Sequence, residues 1–199
     1  MMPKIKICGI SDAAVAQRAE ALGAGYLGFI FAARSPRRVT PAQAAAITAM
    51  LSGRAKRVGV FTDAAVPEIL AIAACVPLDV VQLHSLDYGS DEIQRLKAAG
   101  LEVWRLNELC GADAVLLDGE AGGRCGGTGQ RADWRRAAEL AASGVRVVLA
   151  GGVSAANAAA VAATGCAILD VNSSLETAPG KKSISRLEAF MANIRQIAG

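Results

Sequence analysis

Short apolar runs rich in β-branched residues recur along the chain, and each is followed by a longer alanine-rich stretch whose apolar positions return with helical spacing. The runs fall at residues 5–8, 26–31, 58–61, 80–84, 103–106, 114–118, 145–150 and 167–171. The amphipathic stretches between them fall at 13–22, 41–51, 66–74, 91–99, 134–142 and 155–163. Strand followed by helix, repeated, predicts right-handed crossovers and a parallel sheet covered on both faces. Eight such runs predict a (β/α)8 barrel occupying residues 1–199 as a single domain. The alternative is an open doubly wound sheet, which would call for a glycine-rich fingerprint straight after the first strand. That strand ends instead in Cys8-Gly9-Ile10-Ser11. One interval departs from the pattern. Only residues 107–113 separate the fifth and sixth runs, too few for a usual parallel crossover. The helix there is predicted to be shortened or missing, with a loop or a partner subunit covering the strands it leaves bare.

Composition narrows the function classes. Of 199 residues 42 are alanine, so the 53% apolar content reflects helix-forming filler. With 4% aromatic residues the chain offers little for stacking on single-stranded nucleic acid, and a net charge of +3 does not call for a polyanion partner. The uncharged run 147–169 is long enough to span a membrane, but its glycines, Asn157 and Thr164 make it read as strand, loop, helix, loop, strand. Five cysteines without a CxxC pair, and a start (MMPKIKICGI) without an apolar leader, predict reduced thiols in the cytoplasm.

In a barrel of this kind the chemistry sits at the C-terminal ends of the strands. Those ends hold Cys8, Arg34 to Arg38, Thr62-Asp63, His84, Arg105, Asp118, Gly151-Gly152 and Asp170 to Ser174. The seventh and eighth ends, Gly151-Gly152-Val153-Ser154 and Asp170-Val171-Asn172-Ser173-Ser174, offer small residues and free main-chain donors, which suits a phosphate group. Ordinary tight turns would show the same residues. Cys8 is either an inert core thiol or a reactive one. Asp118 closes an apolar run, as a general acid or as the cap of the next helix. The basic loop 34–38 is either solvated surface or the source of an arginine that grips a carboxylate. His84, the only histidine, is a base or a packing residue. No His, Cys, Asp and Glu spacing suggests a metal site.

Taken together and in order, several blocks are distinctive: Lys6-Ile7-Cys8-Gly9-Ile10, Ser35-Pro36-Arg37, Gly59-Val60-Phe61, Val81-Gln82-Leu83-His84, Leu117-Asp118 with Gly126-Gly127-Thr128-Gly129 and Asp133-Trp134, Ala150-Gly151-Gly152, and Asp170-Val171 with Pro179-Gly180-Lys181. From about Lys4 to Phe190 the chain resembles the phosphoribosylanthranilate isomerases of tryptophan biosynthesis. The resemblance implies an Amadori rearrangement with Cys8 as general base and Asp118 as general acid. It implies that Arg37 holds the anthranilate carboxylate, that Gly127, Gly151, Gly152, Asn172 and Ser173 contact the phosphorylated substrate, and that Asp170 helps orient it. It implies no cofactor and no metal, a small phosphorylated substrate, no nucleic-acid or membrane partner, and a monomer or homodimer. Other phosphosugar barrels are weaker fits: an epimerase would want a metal set, and a bifunctional histidine–tryptophan isomerase paired aspartates where Cys8 stands. A phosphate-binding barrel that has lost turnover is the non-enzymatic alternative. Three features depart from the family pattern: the short fifth crossover, Ser183 where aspartate is common, and the loop Asn172-Ser173-Ser174 where Ser-Ser-Gly is usual. Ser174 in place of glycine restricts positive φ and is expected to shift that loop.

Overall fold

The computed structural model describes residues 2–119 and 133–198. Eight parallel strands run β1 (Lys4–Ile7), β2 (Tyr26–Ile30), β3 (Lys56–Phe61), β4 (Val80–Leu83), β5 (Glu102–Leu106), β6 (Ala114–Leu117), β7 (Val147–Leu149) and β8 (Ile168–Val171). Each pairs with the next, and β8 pairs back onto β1 with Lys6 opposite Asp170, so the sheet closes and the open-sheet alternative is excluded. Helices α1 (Ala13–Ala21), α2 (Pro41–Thr48), α3 (Val66–Cys75), α4 (Ser90–Ala98), α5 (Trp134–Ala142), α6 (Ala158–Ala162) and α7 (Ile184–Ala198) surround it. A hairpin of β9 (Glu176–Ala178) and β10 (Lys181–Lys182) follows a single 3-10 turn at Ser173–Leu175. Among the described residues no helix is long and apolar enough to cross a membrane.

Strand parity sorts the side chains into two cores. Ile5, Ile7, Val81, Leu83, Val115, Leu117, Leu169 and Val171 belong to the cluster beneath the helices. The alternate residues fill the barrel, where Tyr26, Val58, Val80, Trp104, Leu116 and Ile168 meet. Trp104 stands edge-on to Tyr26 at 5.1 Å, and below them Glu102 takes Lys56, Arg146 and the Trp104 indole N–H. The opposite, C-terminal end is polar, and the same parity aims Lys6, Cys8, Gln82, His84, Asp118 and Asp170 toward it.

The fifth crossover has no helix. Asn107 and Cys110 both take positive φ, which lets the loop reverse in so few residues. Val103, Val115 and Leu117 are nonetheless buried within the chain, in the same apolar cluster as Ile93 and Leu96 of α4, Ala137 of α5, and Ala112. Asp113 fastens the loop by accepting the Val103 amide at 2.8 Å and pairing with Lys97 at 2.6 Å.

Two elements differ from expectation. The stretch 155–163 is helical only from Ala158, because Asn157 bonds the Ser154 N–H and the Gly152 carbonyl and holds the preceding residues as loop. Helix α7 lies beyond the last amphipathic stretch read from the sequence. It buries Leu187, Phe190, Met191 and Ile194, an i, i+3, i+4, i+7 spacing that names its inner face.

Glu20 on α1 shows how the helix layer is tied. Its buried carboxylate accepts the amides of Ser52, Arg54 and Ala55 and the Ser52 hydroxyl at 2.7–3.1 Å. Burial opposes its ionisation, but these donors outweigh burial and hold the carboxyl below the usual range. Its contribution is therefore present above the ordinary glutamate range and is lost as pH falls through the lowered value. Glu20→Ala orphans three amides and is expected to cost about 2–4 kcal/mol at pH 7. Urea unfolding of both proteins checks this, and the difference should shrink toward pH 3.

Candidate active site

At the barrel mouth β1 and β8 bring three groups together. Lys6 Nζ lies 2.5 Å from Asp170 Oδ2 and 3.1 Å from Cys8 Sγ, and all three side chains are buried. Room for them comes from β2: a Cβ on Gly28 would stand 2.9 Å from the sulfur and 3.0 Å from Lys6 Cε. Burial lowers the basicity of Lys6, but the neighbouring Asp170 and Cys8 more than offset it and hold the ammonium protonated. Burial and the Asp170 charge push the Cys8 thiol up, while Lys6 and Lys182 pull the other way.

Across the mouth, His84 Nε2 lies 3.2 Å from Asp118 Oδ2, poorly aligned for a hydrogen bond. The Gln82 amide sits 3.1 Å from His84 Nδ1. With the Gln82 N–H donating, Nδ1 is the acceptor and Nε2 faces Asp118. Asp118 Oδ1 accepts the Gly119 amide at 2.7 Å. Gly151 at the end of β7 permits this: its φ is +78°, and a Cβ there would come within 2.9 Å of Asp118 Oδ1 and closer still to the Gly119 amide. The described helix that follows, α5, is capped by Asp133 through the Arg136 amide and not by Asp118. Asp170 stands on β8, which in the barrel order lies between β1, with Lys6 and Cys8, and the β6 end that carries Asp118.

The loops add a second layer. Arg37 is held in a two-pronged pair with Glu176, both contacts 2.8 Å. Lys182 Nζ, whose side chain is almost fully covered, contacts Glu176 at 3.1 Å and Asn172 Oδ1 at 2.9 Å. Burial opposes ionisation of Glu176, but Arg37 and Lys182 prevail and keep it a carboxylate. The hairpin β9–β10 thus clamps the loops after β2 and β8 together, and its Glu176 leaves part of the Arg37 guanidinium for a ligand. Asn172, Ser173, Gly151 and Gly152 lie on the adjacent loops after β8 and β7. Ser174 joins those loops by donating to the Val153 carbonyl at 2.7 Å. It does not take positive φ, so the serine sits there without backbone strain.

Not every strand-end residue reaches this cluster. Arg105 shares the parity of Val103, points outward, and donates to the carbonyls of Leu86 and Tyr88. Arg34 and Arg38 are exposed, and Thr62 turns to Asp63. Gly127 lies outside the described residues. Sequence reasoning passed over Lys6, Gln82, Glu176 and Lys182 as site residues. The available signals were a second lysine at period two in β1 and a lysine pair after a Pro-Gly turn.

Fold and site define a class: a (β/α)8 barrel whose C-terminal mouth can move protons on a small anionic ligand. Comparison with known proteins narrows it. The family profile for N-(5'-phosphoribosyl)anthranilate (PRA) isomerase matches residues 5–193. The N-(5'-phosphoribosyl)anthranilate isomerase of Rubrobacter xylanophilus is 38% identical, covering 96% of this chain and 98% of that protein. The crystal structure of phosphoribosyl anthranilate isomerase from Thermus thermophilus superposes with a TM-score of 0.88 at 35% identity, covering 97% of this chain and 98% of that one. A phosphoribosyl anthranilate isomerase in complex with reduced 1-(o-carboxyphenylamino)-1-deoxyribulose 5-phosphate superposes at 0.81 and 28% identity, covering 98% and 100%. The chain belongs to the N-(5'-phosphoribosyl)anthranilate isomerase family.

Proposed function

We propose that this protein isomerises N-(5'-phosphoribosyl)anthranilate to 1-(o-carboxyphenylamino)-1-deoxyribulose 5-phosphate in the cytoplasm, as a step of tryptophan biosynthesis. The observation that supports it best is a thiol and a carboxyl, Cys8 after β1 and Asp118 after β6, at the C-terminal end of one closed barrel, with Asp170 on the intervening strand β8. Asp118 gives its proton to the ribose ring oxygen as the C1–O bond breaks and the anthranilate nitrogen forms the C1=N bond. Cys8, as thiolate, takes the C2 proton; the C–H electrons become the C1=C2 bond and the cationic nitrogen is neutralised. The resulting enol shifts its hydroxyl proton to C1 and becomes the ketone. C1 is reduced and C2 oxidised, so the rearrangement is redox-neutral and requires no external oxidant or reductant. Arg37 holds the anthranilate carboxylate, and Gly151, Gly152, Asn172 and Ser173 hold the phosphate. Asp170, whose Oδ1 is buried with no protein partner, accepts a sugar hydroxyl.

The substrate is fluorescent, so adding the protein to freshly prepared phosphoribosylanthranilate is expected to abolish its emission with saturation kinetics. Saturable binding with the emission intact would identify a barrel that retains its ligand and has lost turnover. Glu176 tests the grip of Arg37. Glu176→Gln keeps the volume but loosens the two-pronged pair, and is expected to raise KM about tenfold with kcat changed less than about threefold. A KM equal to that of the unsubstituted protein would mean that Glu176 does not position Arg37 for binding.

A further inference from the structure

We propose that Lys6 is a positioning residue of the reaction: its ammonium holds the Cys8 sulfur as the anion that takes the C2 proton, and Asp170 anchors that ammonium. The proposal rests on the reading of Cys8 as the base. Lys6 is fully buried on the barrel axis, where a cation has no reason to be unless its partners require it. A lysine ammonium has three hydrogens. One is directed to Asp170 Oδ2 at 2.5 Å and another to Cys8 Sγ at 3.1 Å. A structural ion pair would be complete with Asp170 alone. The sulfur contact is additional, and β2 is hollowed to a glycine at residue 28 to admit it.

The charges around the sulfur point the same way. The groups facing Cys8 are Lys6 from β1, Asp170 from β8, Lys182 from β10 and Arg37 from the loop after β2, with Glu176 between the last two. His84 from β4 and Asp118 from β6 face Asp170. Three cations, Lys6, Lys182 and Arg37, thus act on the sulfur, and Lys6 is the one in hydrogen-bond contact with it. Burial and the Asp170 charge work against that anion, and Lys6, the cation in direct contact, is the main opposing influence. In the proton transfer the S–H bond forms as the C2–H bond breaks, while Lys6 keeps its own proton and serves only as donor.

The test is the pH titration of the Cys8 thiolate, followed by its ultraviolet absorbance as the difference between each protein and its Cys8→Ser counterpart, which cancels the other cysteines. Lys6→Met is expected to move the midpoint up by about one pH unit or more, to move the acid limb of kcat/KM with it, and to lower kcat at pH 7 at least about tenfold with KM little changed. Asp170→Asn is expected to move the midpoint in the opposite direction, a reversal of sign that a purely structural role for either residue does not produce. A midpoint in Lys6→Met within about 0.3 unit of the unsubstituted value would overturn the proposal. If Lys6→Met does not fold, nitrogen NMR of lysine side chains in the unsubstituted protein decides: the Lys6 signal should step where Cys8 titrates and lose that step in Cys8→Ser, and a signal without the step overturns the proposal. Neither titration uses the substrate. A shift in a protein that leaves phosphoribosylanthranilate unchanged counts against the isomerase reading, not against the Lys6–Cys8 coupling.

Discussion

Cys8→Ala is expected to lower kcat on phosphoribosylanthranilate by at least about 10²–10⁴-fold with KM within a few-fold of the parent, because a placed proton-transfer group contributes on that scale. The side chain is small and nearly covered, so its loss removes one atom from a cluster that Lys6 and Asp170 still hold together. On the proposed reading, ground-state binding rests on the loops after β2, β7 and β8, which the substitution does not touch. Cys8→Ser, which keeps the volume but replaces the thiol with a hydroxyl, is expected to be almost as slow, since a hydroxyl in that position ionises far less readily. Stopped-flow or steady-state fluorescence of the substrate measures both. A Cys8→Ala protein with kcat near that of the parent would remove the thiol from its assigned role.

Asp118→Asn is expected to cost a similar factor in kcat, about 10²–10⁴-fold, and again with little change in KM. The amide keeps the shape, so Oδ1 can still accept the Gly119 amide and the seat provided by Gly151 is preserved. What is lost is the proton for the ribose ring oxygen. His84 gives a second readout. Its Nε2 faces Asp118 Oδ2 at 3.2 Å, so the ring is placed to orient the carboxyl, whose proton is restored from solvent after each turnover. The loss in Asp118→Asn should therefore persist across the pH range in which the parent is active, whereas a role confined to electrostatics would let the variant recover at one end. Recovery to parental kcat at any pH contradicts the general-acid assignment.

How far the chain announces this arrangement depends on the distance between partners. Strands and helices are set by neighbours in sequence, so alternation of apolar runs with alanine-rich stretches yields the barrel, and the short interval 107–113 yields the missing helix. Cys8 and Asp118 are visible because strand ends are where such barrels keep their chemistry. Lys6 is not, because its partner Asp170 lies 164 residues away and the two meet only when β8 closes on β1. In β1 the lysines at positions 4 and 6 share a face; depth along the barrel leaves Lys4 exposed and Lys6 fully buried. Arg37 and Glu176, 139 residues apart, pose the same difficulty. Arg105 is the converse case: it stands near a strand end, but strand parity, readable from Val103 and Trp104 on either face, turns it outward. The spacing of Leu187, Phe190, Met191 and Ile194 carries α7 in full, a local signal that the preceding pattern of strand then helix draws attention away from.

The most direct measurement is a crystal structure of this protein with reduced 1-(o-carboxyphenylamino)-1-deoxyribulose 5-phosphate bound. Cys8 Sγ should lie about 3–3.5 Å from C2 of the sugar chain, and a carboxylate oxygen of Asp118 about 2.6–3.2 Å from the oxygen on C4, from the other side. A ligand seated with its phosphate on the loops after β7 and β8 but with C2 beyond reach of the sulfur, or with both groups on one side of the chain, would contradict the account.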